Sequence, residues 1–197
     1  MTAGLVLAAG AASRFGSPKA LAELGGRPML EHVLDAARLA GLAPVVVVLG
    51  TAGDEVEAGI EWGSEVRVRN PDPERGLASS LRVGLAAVEA SGGGEDATLI
   101  LLGDQPRTDP ALIARLIAAP ATALRPIVAP RYARGGGPNP LLLHRSAYSL
   151  ARLAAGDRGL GPVLESHPEL VSYVDVPGSN PDVDTPADLA DAERDQG

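Results

Sequence analysis

Two basic residues and a run of small residues near the start of the chain have the types and spacing expected of an anion-binding loop. The segment from residue 5 to residue 19 reads LVLAAGAASRFGSPK. Small side chains let backbone N–H groups approach a phosphate closely. Arg14 can donate to two phosphate oxygens at once, and Lys19 adds a compact positive charge. The pattern therefore predicts a loop that binds a nucleotide triphosphate.

This loop differs in spacing from the two common nucleotide-binding fingerprints. Gly10 is followed by two alanines, so the dinucleotide motif GxGxxG is absent, and Gly16 is not followed directly by lysine as in a Walker P-loop. Lys19 is the single lysine among 17 basic residues. The alternative interpretation is an ordinary surface turn that happens to carry two cations.

Three carboxylates stand next to predicted elements elsewhere in the chain. Asp104 follows the apolar run TLILL at residues 98–102, and Asp182 and Asp184 precede a predicted helix. Taken singly, Asp104 can cap a turn, and the other two can be stabilised by the helix dipole. Two loop carboxylates together with a phosphate loop, no cysteine and no histidine cluster instead indicate Mg²⁺ held by oxygen ligands and nucleotide phosphates.

Short apolar runs alternate with helical patterns along the chain. Strands are predicted at residues 5–7, 45–49, 66–69, 98–102, 127–130, 141–144 and 170–176. Helices are predicted from Pro28 to the stop at Gly41, over 54–60, after a cap at Ser79 or Ser80, after Asp109, over 160–164 and from Pro186. This alternation predicts an α/β fold with a parallel sheet, in which ligands bind beyond the carboxyl ends of the strands. Gly10 and Asp104 are therefore expected to share one crevice.

Composition narrows the class of protein. A chain of 197 residues with 45% hydrophobic residues can bury one ordinary core, and a single domain over 1–197 is expected. A formal charge of −8 argues against a nucleic-acid partner. Since no apolar run approaches 18 residues and no leader precedes Leu5, we expect a cytoplasmic protein without a membrane partner. The three histidines share no spacing and are interpreted as structural.

Several longer segments together resemble a known family. These are LAAGAASRFGSPKAL, NPDPERGLASSLRVGL, LLGDQP, GGGPNPLLL, AAGDRGLGPVL and DVDTPADL. They are similar to the MobA-like nucleotidylyltransferases of the molybdenum cofactor group, and most of all to the CTP-using molybdopterin cytidylyltransferases. The resemblance implies a Rossmann-like three-layer sandwich with a mostly parallel central sheet, of the GT-A-like nucleotidylyltransferase type.

The resemblance also assigns roles to individual residues. It implies catalytic roles for Arg14, Lys19, Asp104 and Asp184, with Mg²⁺ held by the two aspartates. It implies nucleotide contacts from Leu7, Ala8, Ala9, Gly10, Arg14, Lys19, Asn70, Ser79, Ser80 and Gly103. Contacts to the acceptor are implied for Gly137, Pro138 and Asp157. Ala9 favours cytosine, because the guanylyl branch has glycine there, whereas Gly161 stands where molybdopterin enzymes tend to carry a basic residue.

The activity implied is transfer of a nucleoside monophosphate from an NTP, with CTP favoured, to a phosphorylated small-molecule acceptor. The acceptor favoured by the resemblance is molybdopterin, with a molybdoenzyme or accessory protein as a candidate partner. The alternatives are a GTP-using guanylyltransferase acting on the cofactor or on phospholactate, and an enzyme for another small phosphate or sugar phosphate. An alternative of another class is an accessory protein that binds nucleotide without turnover.

Overall fold

The computed structural model describes residues 1–10, 15–92, 96–120 and 124–194. Strands in this part of the chain are β1 Thr2–Ala8, β2 Glu23–Leu24, β3 Arg27–Pro28, β4 Val45–Leu49, β5 Val66–Arg69, β6 Ala97–Leu102, β7 Ile127–Tyr132, β8 Leu141–His144 and β9 Val171–Val176. The α-helices are α1 Met29–Leu39, α2 Gly53–Gly59, α3 Leu77–Ala90, α4 Pro110–Ala118, α5 Gly161–Ser166 and α6 Pro186–Arg194. Short 3-10 helices connect them at Lys19–Leu21, Pro73–Arg75, Arg145–Arg152, Gly156–Arg158 and Pro168–Leu170.

Among the described residues, one sheet contains seven strands in the order β5-β4-β1-β6-β8-β7-β9. The first four are parallel to one another, and β7 is parallel to β9. β8 runs antiparallel to both of its neighbours. The short strands β2 and β3 pair separately. The expected mostly parallel sheet is confirmed.

Aliphatic side chains cover both faces of this sheet and produce three layers. α3 packs on one face through Leu81, Leu85 and Val88, which are buried in one apolar cluster. α1 and α4 pack on the other face, where Leu34 and Leu116 belong to a second cluster. All five residues of β4 are buried, as a parallel strand covered on both faces requires. The Rossmann-like α/β class is therefore confirmed.

The predicted start of α3 is wrong by three or four residues, because the cap is Gly76 and not Ser79 or Ser80. The helix begins at Leu77, directly after Gly76, whose φ of +81° suits glycine. Ser79 and Ser80 lie inside the first turns, are buried, and bond to a side chain instead of capping the helix. The prediction failed because the turn at Gly76 allows the helix to begin at Leu77, before Ser79 and Ser80.

Other helix starts can be compared with their predicted caps. Pro28 precedes α1 instead of being its first residue. The Asp109 cap is confirmed, because its side chain accepts a hydrogen bond from the backbone of Ala111 at 2.8 Å. The capping box of α6 is also confirmed: the N–H of Thr185 donates to Asp188 at 2.8 Å, and the N–H of Asp188 donates to the Thr185 hydroxyl at 3.2 Å.

Candidate active site

The carboxyl ends of β1, β4 and β6 meet at one edge of the sheet, and their backbones approach closely there. The N–H of Gly103 donates to the carbonyl of Leu7 at 2.9 Å, which continues the pairing beyond β6. A Cβ at Gly103 would lie 2.9 Å from the Cβ of Ala8, and a Cβ at Gly50 would lie 2.5 Å from the Ala9 carbonyl oxygen. Glycine at these positions leaves room for Ala8 and Ala9 at the end of β1.

Lys19, Asp104 and Asp184 come together at this edge, although they are far apart in sequence. The Lys19 ammonium donates to Asp104 Oδ2 at 2.7 Å and to Asp184 Oδ1 at 2.6 Å. Its side chain is 14% exposed, against 30% for Asp104 and 54% for Asp184. Burial alone would lower the pKa of Lys19, but the charges and hydrogen bonds of the two carboxylates outweigh it and raise that pKa. The ammonium therefore stays charged at neutral pH.

The donors at this cluster suit a hard divalent cation. Oδ1 of Asp104 is buried and has no hydrogen-bond partner among the residues that the structure describes. Such an oxygen gains an electrostatic partner when a cation binds, and carboxylate oxygens are the ligands that Mg²⁺ prefers. In the same part of the chain, no group of three or more His, Cys, Asp or Glu side chains is arranged as a metal site. A cation held by Asp104 and Asp184 would therefore take its other ligands from phosphate or water.

A third carboxylate, Asp182, lies beside this cluster and was not among the predicted site residues. Partial removal from water raises the pKa of Asp182, and the nearby charge of Asp104 raises it further. Its Oδ1 accepts a hydrogen bond from Gln105 Nε2 at 2.8 Å. The position of Gln105 directly after Asp104, and of Asp182 two residues before Asp184, is the sequence signal that could have pointed to this pair.

The predicted nucleotide-binding residues Asn70, Ser79 and Ser80 are brought together as a buried polar triad. Asn70 Nδ2 donates to the Ser80 hydroxyl at 3.0 Å, and the Ser79 hydroxyl donates to Asn70 Oδ1 at 3.2 Å. The exposed fractions are 4% for Asn70, 8% for Ser79 and 3% for Ser80. Because these groups bond to one another, the triad fixes the first turn of α3 against the end of β5.

The structure shows two clefts that meet at Leu7. A cleft of about 270 Å³, a volume that includes space open to solvent, is lined by Leu7, Ala8, Gly10, Lys19, Ala20, Gly103 and Asp104. A second cleft of about 400 Å³, open to solvent, is lined by Leu7, Leu77, Leu102, Pro138, Arg158 and Leu160, among others. Five of the ten predicted nucleotide-binding residues thus line one cleft together with Asp104, and the second cleft adjoins it.

The predicted acceptor residues are placed differently from one another. Pro138 lines the second cleft, whereas Gly137 is exposed beside it. Asp157 lies against the start of α3, since a Cβ at Gly76 would come within 2.4 Å of Asp157 Oδ1. The 156–159 turn therefore rests on the helix that carries the Asn70 triad. The predicted phosphate ligand Arg14 lies outside the described residues.

The mostly parallel sheet makes this an open α/β protein, the class in which ligands bind beyond the carboxyl ends of the strands, and Lys19, Asp104 and Asp184 come together at that edge. A match to a family model identifies the family within this class. The model of the MobA-like NTP transferase domain matches residues 4–176, and the chain belongs to this family as a nucleotidyltransferase domain. The predicted MobA-like family is therefore confirmed.

Curated relatives match part of this chain. The bifunctional protein GlmU of Sorangium cellulosum is 41% identical over 119 residues, which cover 57% of this chain and 24% of that protein. The chain thus spans about a quarter of the length of such curated relatives. Across described residues, no helix is long and apolar enough to cross a membrane.

Solved structures are similar over nearly the whole chain. Rv0371c from Mycobacterium tuberculosis has a TM-score of 0.85 and 32% identity, with 98% of this chain and 97% of that chain covered. Its complex with manganese has a TM-score of 0.82 and 30% identity, covering 98% of each chain. A nucleotidyl transferase from Methanothermobacter has a TM-score of 0.78 and 27% identity, covering 99% and 97%.

Proposed function

We propose that this protein transfers a nucleoside monophosphate from an NTP, with CTP favoured, to the phosphate of a small-molecule acceptor and releases pyrophosphate. Molybdopterin is the favoured acceptor. The observation that carries the proposal is the Lys19 ammonium, which lies between Asp104 and Asp184 at the mouth of the cleft beside Gly10. Opposite charges are thereby held where a triphosphate and a divalent cation would meet.

The nucleotide would lie along the cleft that follows β1. Backbone groups of Ala8, Ala9 and Gly10 would contact its base and ribose, and Leu7 and Gly103 form the floor beside them. The buried triad of Asn70, Ser79 and Ser80 would form the wall on the nucleoside side. The preference for CTP rests on Ala9 and on the resemblance to the cytidylyl branch.

A divalent cation, Mg²⁺ in the favoured case, would be held by Asp104 and Asp184. When bound, it would neutralise charge on the phosphate oxygens at the reacting phosphorus. The partnerless Oδ1 of Asp104 and the all-oxygen donor set fit such an ion. The manganese complex of Rv0371c supports the choice of a divalent metal.

In the proposed reaction, an oxygen of the acceptor phosphate bonds to the α-phosphorus of the NTP while the bond to pyrophosphate breaks. The acceptor phosphate is already ionised, so no side chain has to remove a proton. The tasks of the protein are alignment and charge stabilisation. Lys19 and Arg14 would stabilise the negative charge that develops on the departing pyrophosphate.

The acceptor would approach from the second cleft, because this cleft adjoins the phosphate cleft at Leu7. Pro138 lines it, Gly137 lies at its edge, and Asp157 lies beside it in the turn that packs against Gly76. Gly161 also lines this cleft. The choice of molybdopterin rests on the resemblance, with a molybdoenzyme or accessory protein as the partner that would receive the product.

The test is a screen for pyrophosphate release. CTP, GTP, UTP and ATP are each incubated with Mg²⁺ and with molybdopterin, phospholactate or a sugar 1-phosphate, and pyrophosphate is measured by a coupled enzyme assay. We expect the highest rate with CTP and molybdopterin. If the highest rate is found with GTP, or with an acceptor other than molybdopterin, the protein is instead assigned to the branch that uses that substrate. Binding of NTP without pyrophosphate release from any pair would instead indicate an accessory protein.

A further inference from the structure

The segment that carries Asp184 has no regular structure of its own to hold it in place. Residues 177–185, all of them described, are neither helix nor strand. The segment follows β9 and leads into α6, whereas Asp104 stands at the end of the buried strand β6. Contacts from outside the segment must therefore decide how far Asp184 lies from Asp104.

A buried amide network provides such contacts. Gln105 Nε2 donates to the carbonyl of Asn180 at 3.3 Å and to Asp182 Oδ1 at 2.8 Å. Asn180 Nδ2 donates to Gln105 Oε1 at 3.2 Å and to the Thr108 hydroxyl at 3.3 Å. That hydroxyl in turn donates to the Gln105 carbonyl at 3.0 Å. Each of the four amide hydrogens thus has a partner that joins or orients the two loops.

The burial of these groups makes the arrangement specific. Gln105 is 1% exposed, Asn180 4% and Thr108 6%. A buried amide that loses its partner cannot replace it with water, so other positions of the loop are disfavoured. A backbone hydrogen bond from Val183 to the Asp104 carbonyl at 2.9 Å joins the same two loops immediately beside Asp184.

We propose that Gln105 and Asn180 are positioning residues that hold Asp184 opposite Asp104 and so set the affinity of the site for a divalent cation. The proposal rests on the proposed function, in which these two carboxylates hold the metal. Gln105 acts through the loop and not by contact with the reacting atoms. Its side chain is directed toward Asn180 and Asp182, and its neighbour Asp104 supplies the ligand.

The test compares Mn²⁺ binding by the wild-type chain and by Gln105→Met, which keeps the length of the side chain and removes its hydrogen bonds. Binding is measured by electron paramagnetic resonance with a CTP analogue whose α,β-bridging oxygen is a methylene group. We expect the variant to bind Mn²⁺ about 10- to 100-fold more weakly, the range typical when a group supporting a metal ligand is lost. Binding of the analogue without metal is expected to be unchanged.

A matched control removes the hydrogen bond of a buried side chain on β6, the strand that precedes Asp104 and Gln105. Thr98 on β6 is 0% exposed and bonds to the hydroxyl of Tyr148. Thr98→Val is expected to lower the thermal midpoint and leave the Mn²⁺ affinity unchanged. If Gln105→Met does not fold, Thr108→Val removes a more distant contact of the network, and a smaller loss of Mn²⁺ affinity is expected.

The outcomes separate this inference from the proposed function. If the wild-type chain binds Mn²⁺ no more tightly with the analogue than without it, the proposed function fails. If the wild-type chain shows this coupling and folded Gln105→Met or Thr108→Val retains the full Mn²⁺ affinity, the positioning role is overturned. An equal loss of affinity in Thr98→Val would also overturn it, because the effect would then be one of general stability.

Discussion

The two sides of the site are built in different ways. The phosphate side stands on β1, β4 and β6, whose parallel pairing brings successive strand ends to one edge. The other side stands on β8, β7 and β9, where β8 reverses direction and long irregular segments follow the strands. Lys19 and Asp104 belong to the first side, and Asp184 to the second.

This difference shows how each side achieves its geometry. On the phosphate side, strand register and close backbone contacts at Gly50 and Gly103 position the loop, so few side-chain hydrogen bonds are needed. On the other side, the amide network of Gln105 and Asn180 and the contact of Asp157 with Gly76 substitute for register. The position of the phosphate side is therefore expected to depend less on single side-chain hydrogen bonds than on the absence of a side chain at Gly50 and Gly103.

The largest effect, on turnover, is expected from removing one of the charged side chains that meet between the two sides. Asp104→Asn and Lys19→Ala should each reduce turnover by about 100-fold or more, the scale found when one charge contact in the transition state is lost. Pyrophosphate release with CTP and the best acceptor is the measurement. Asp54→Asn is the matched control, since Asp54 is exposed and pairs with Arg69. Full turnover in either site variant would contradict the assigned roles.

The next largest effect is expected from adding a methyl group where the backbone leaves no room for it, once on each side of the site. Gly50→Ala would force the new Cβ against the Ala9 carbonyl, and Gly76→Ala would force it against the 156–159 turn at a positive φ. Each should lower the free energy of unfolding by about 1–3 kcal/mol, measured by urea denaturation.

Kinetics of the same two variants make the comparison sharper. Gly50→Ala is expected to raise KM for CTP more than KM for the acceptor, because the displaced residue, Ala9, is proposed to contact the nucleotide. Gly76→Ala is expected to raise KM for the acceptor at least as much, because the 156–159 turn is displaced as well. If both variants change the two constants in the same ratio, the division into two sides does not hold.

A smaller and pH-dependent effect is expected away from the site, at the pair of Arg38 and Glu65. Burial opposes ionisation of Glu65, but hydrogen bonds from Arg38 and from backbone N–H groups outweigh it and lower the pKa of the carboxyl. Ionised Glu65 therefore stabilises the fold above its ordinary pKa of 4.5, and this contribution is lost as pH falls through the lower folded value.

Glu65→Gln is accordingly expected to lower the free energy of unfolding at pH 7 by about 1–2 kcal/mol, since a charged hydrogen bond is lost. The difference from the wild type should narrow as the pH is lowered below the ordinary carboxyl value. Urea titrations at a series of pH values provide the measurement, and turnover at pH 7 should stay unchanged. A difference that grows toward acid would contradict the sign assigned to this pair.

The smallest effect concerns the base. With Mg²⁺ present, CTP should raise the thermal midpoint by a few degrees and more than GTP does, because the stabilisation of the folded state by a ligand grows with the logarithm of its concentration divided by its Kd. Ala9→Gly should reduce the difference between the two nucleotides. A larger shift with GTP in the wild-type chain would reverse the assigned branch and would leave the division between the two sides intact.

Much of the fold was predictable from the sequence for identifiable reasons. The continuous apolar run of β4 and the strands ending at Arg69 and His144 have strong local signals, and β4 matches its predicted bounds of 45–49. The start of α3 was not predicted, because two serines look like a cap unless the partner of their hydroxyls is known. That partner, Asn70, lies on a different segment.

The sequence by itself determined the family, through the resemblance of several segments. It also determined the mostly parallel α/β fold and the convergence of Gly10 and Asp104, because periodicity and motif spacing are local properties. The roles of the individual site residues and the single domain over 1–197 stay predictions. Only the tertiary structure decided that Lys19 lies between Asp104 and Asp184, and that Gln105 and Asn180 join their loops. These contacts join residues 75 to 165 positions apart, and such pairings depend on how the whole chain packs.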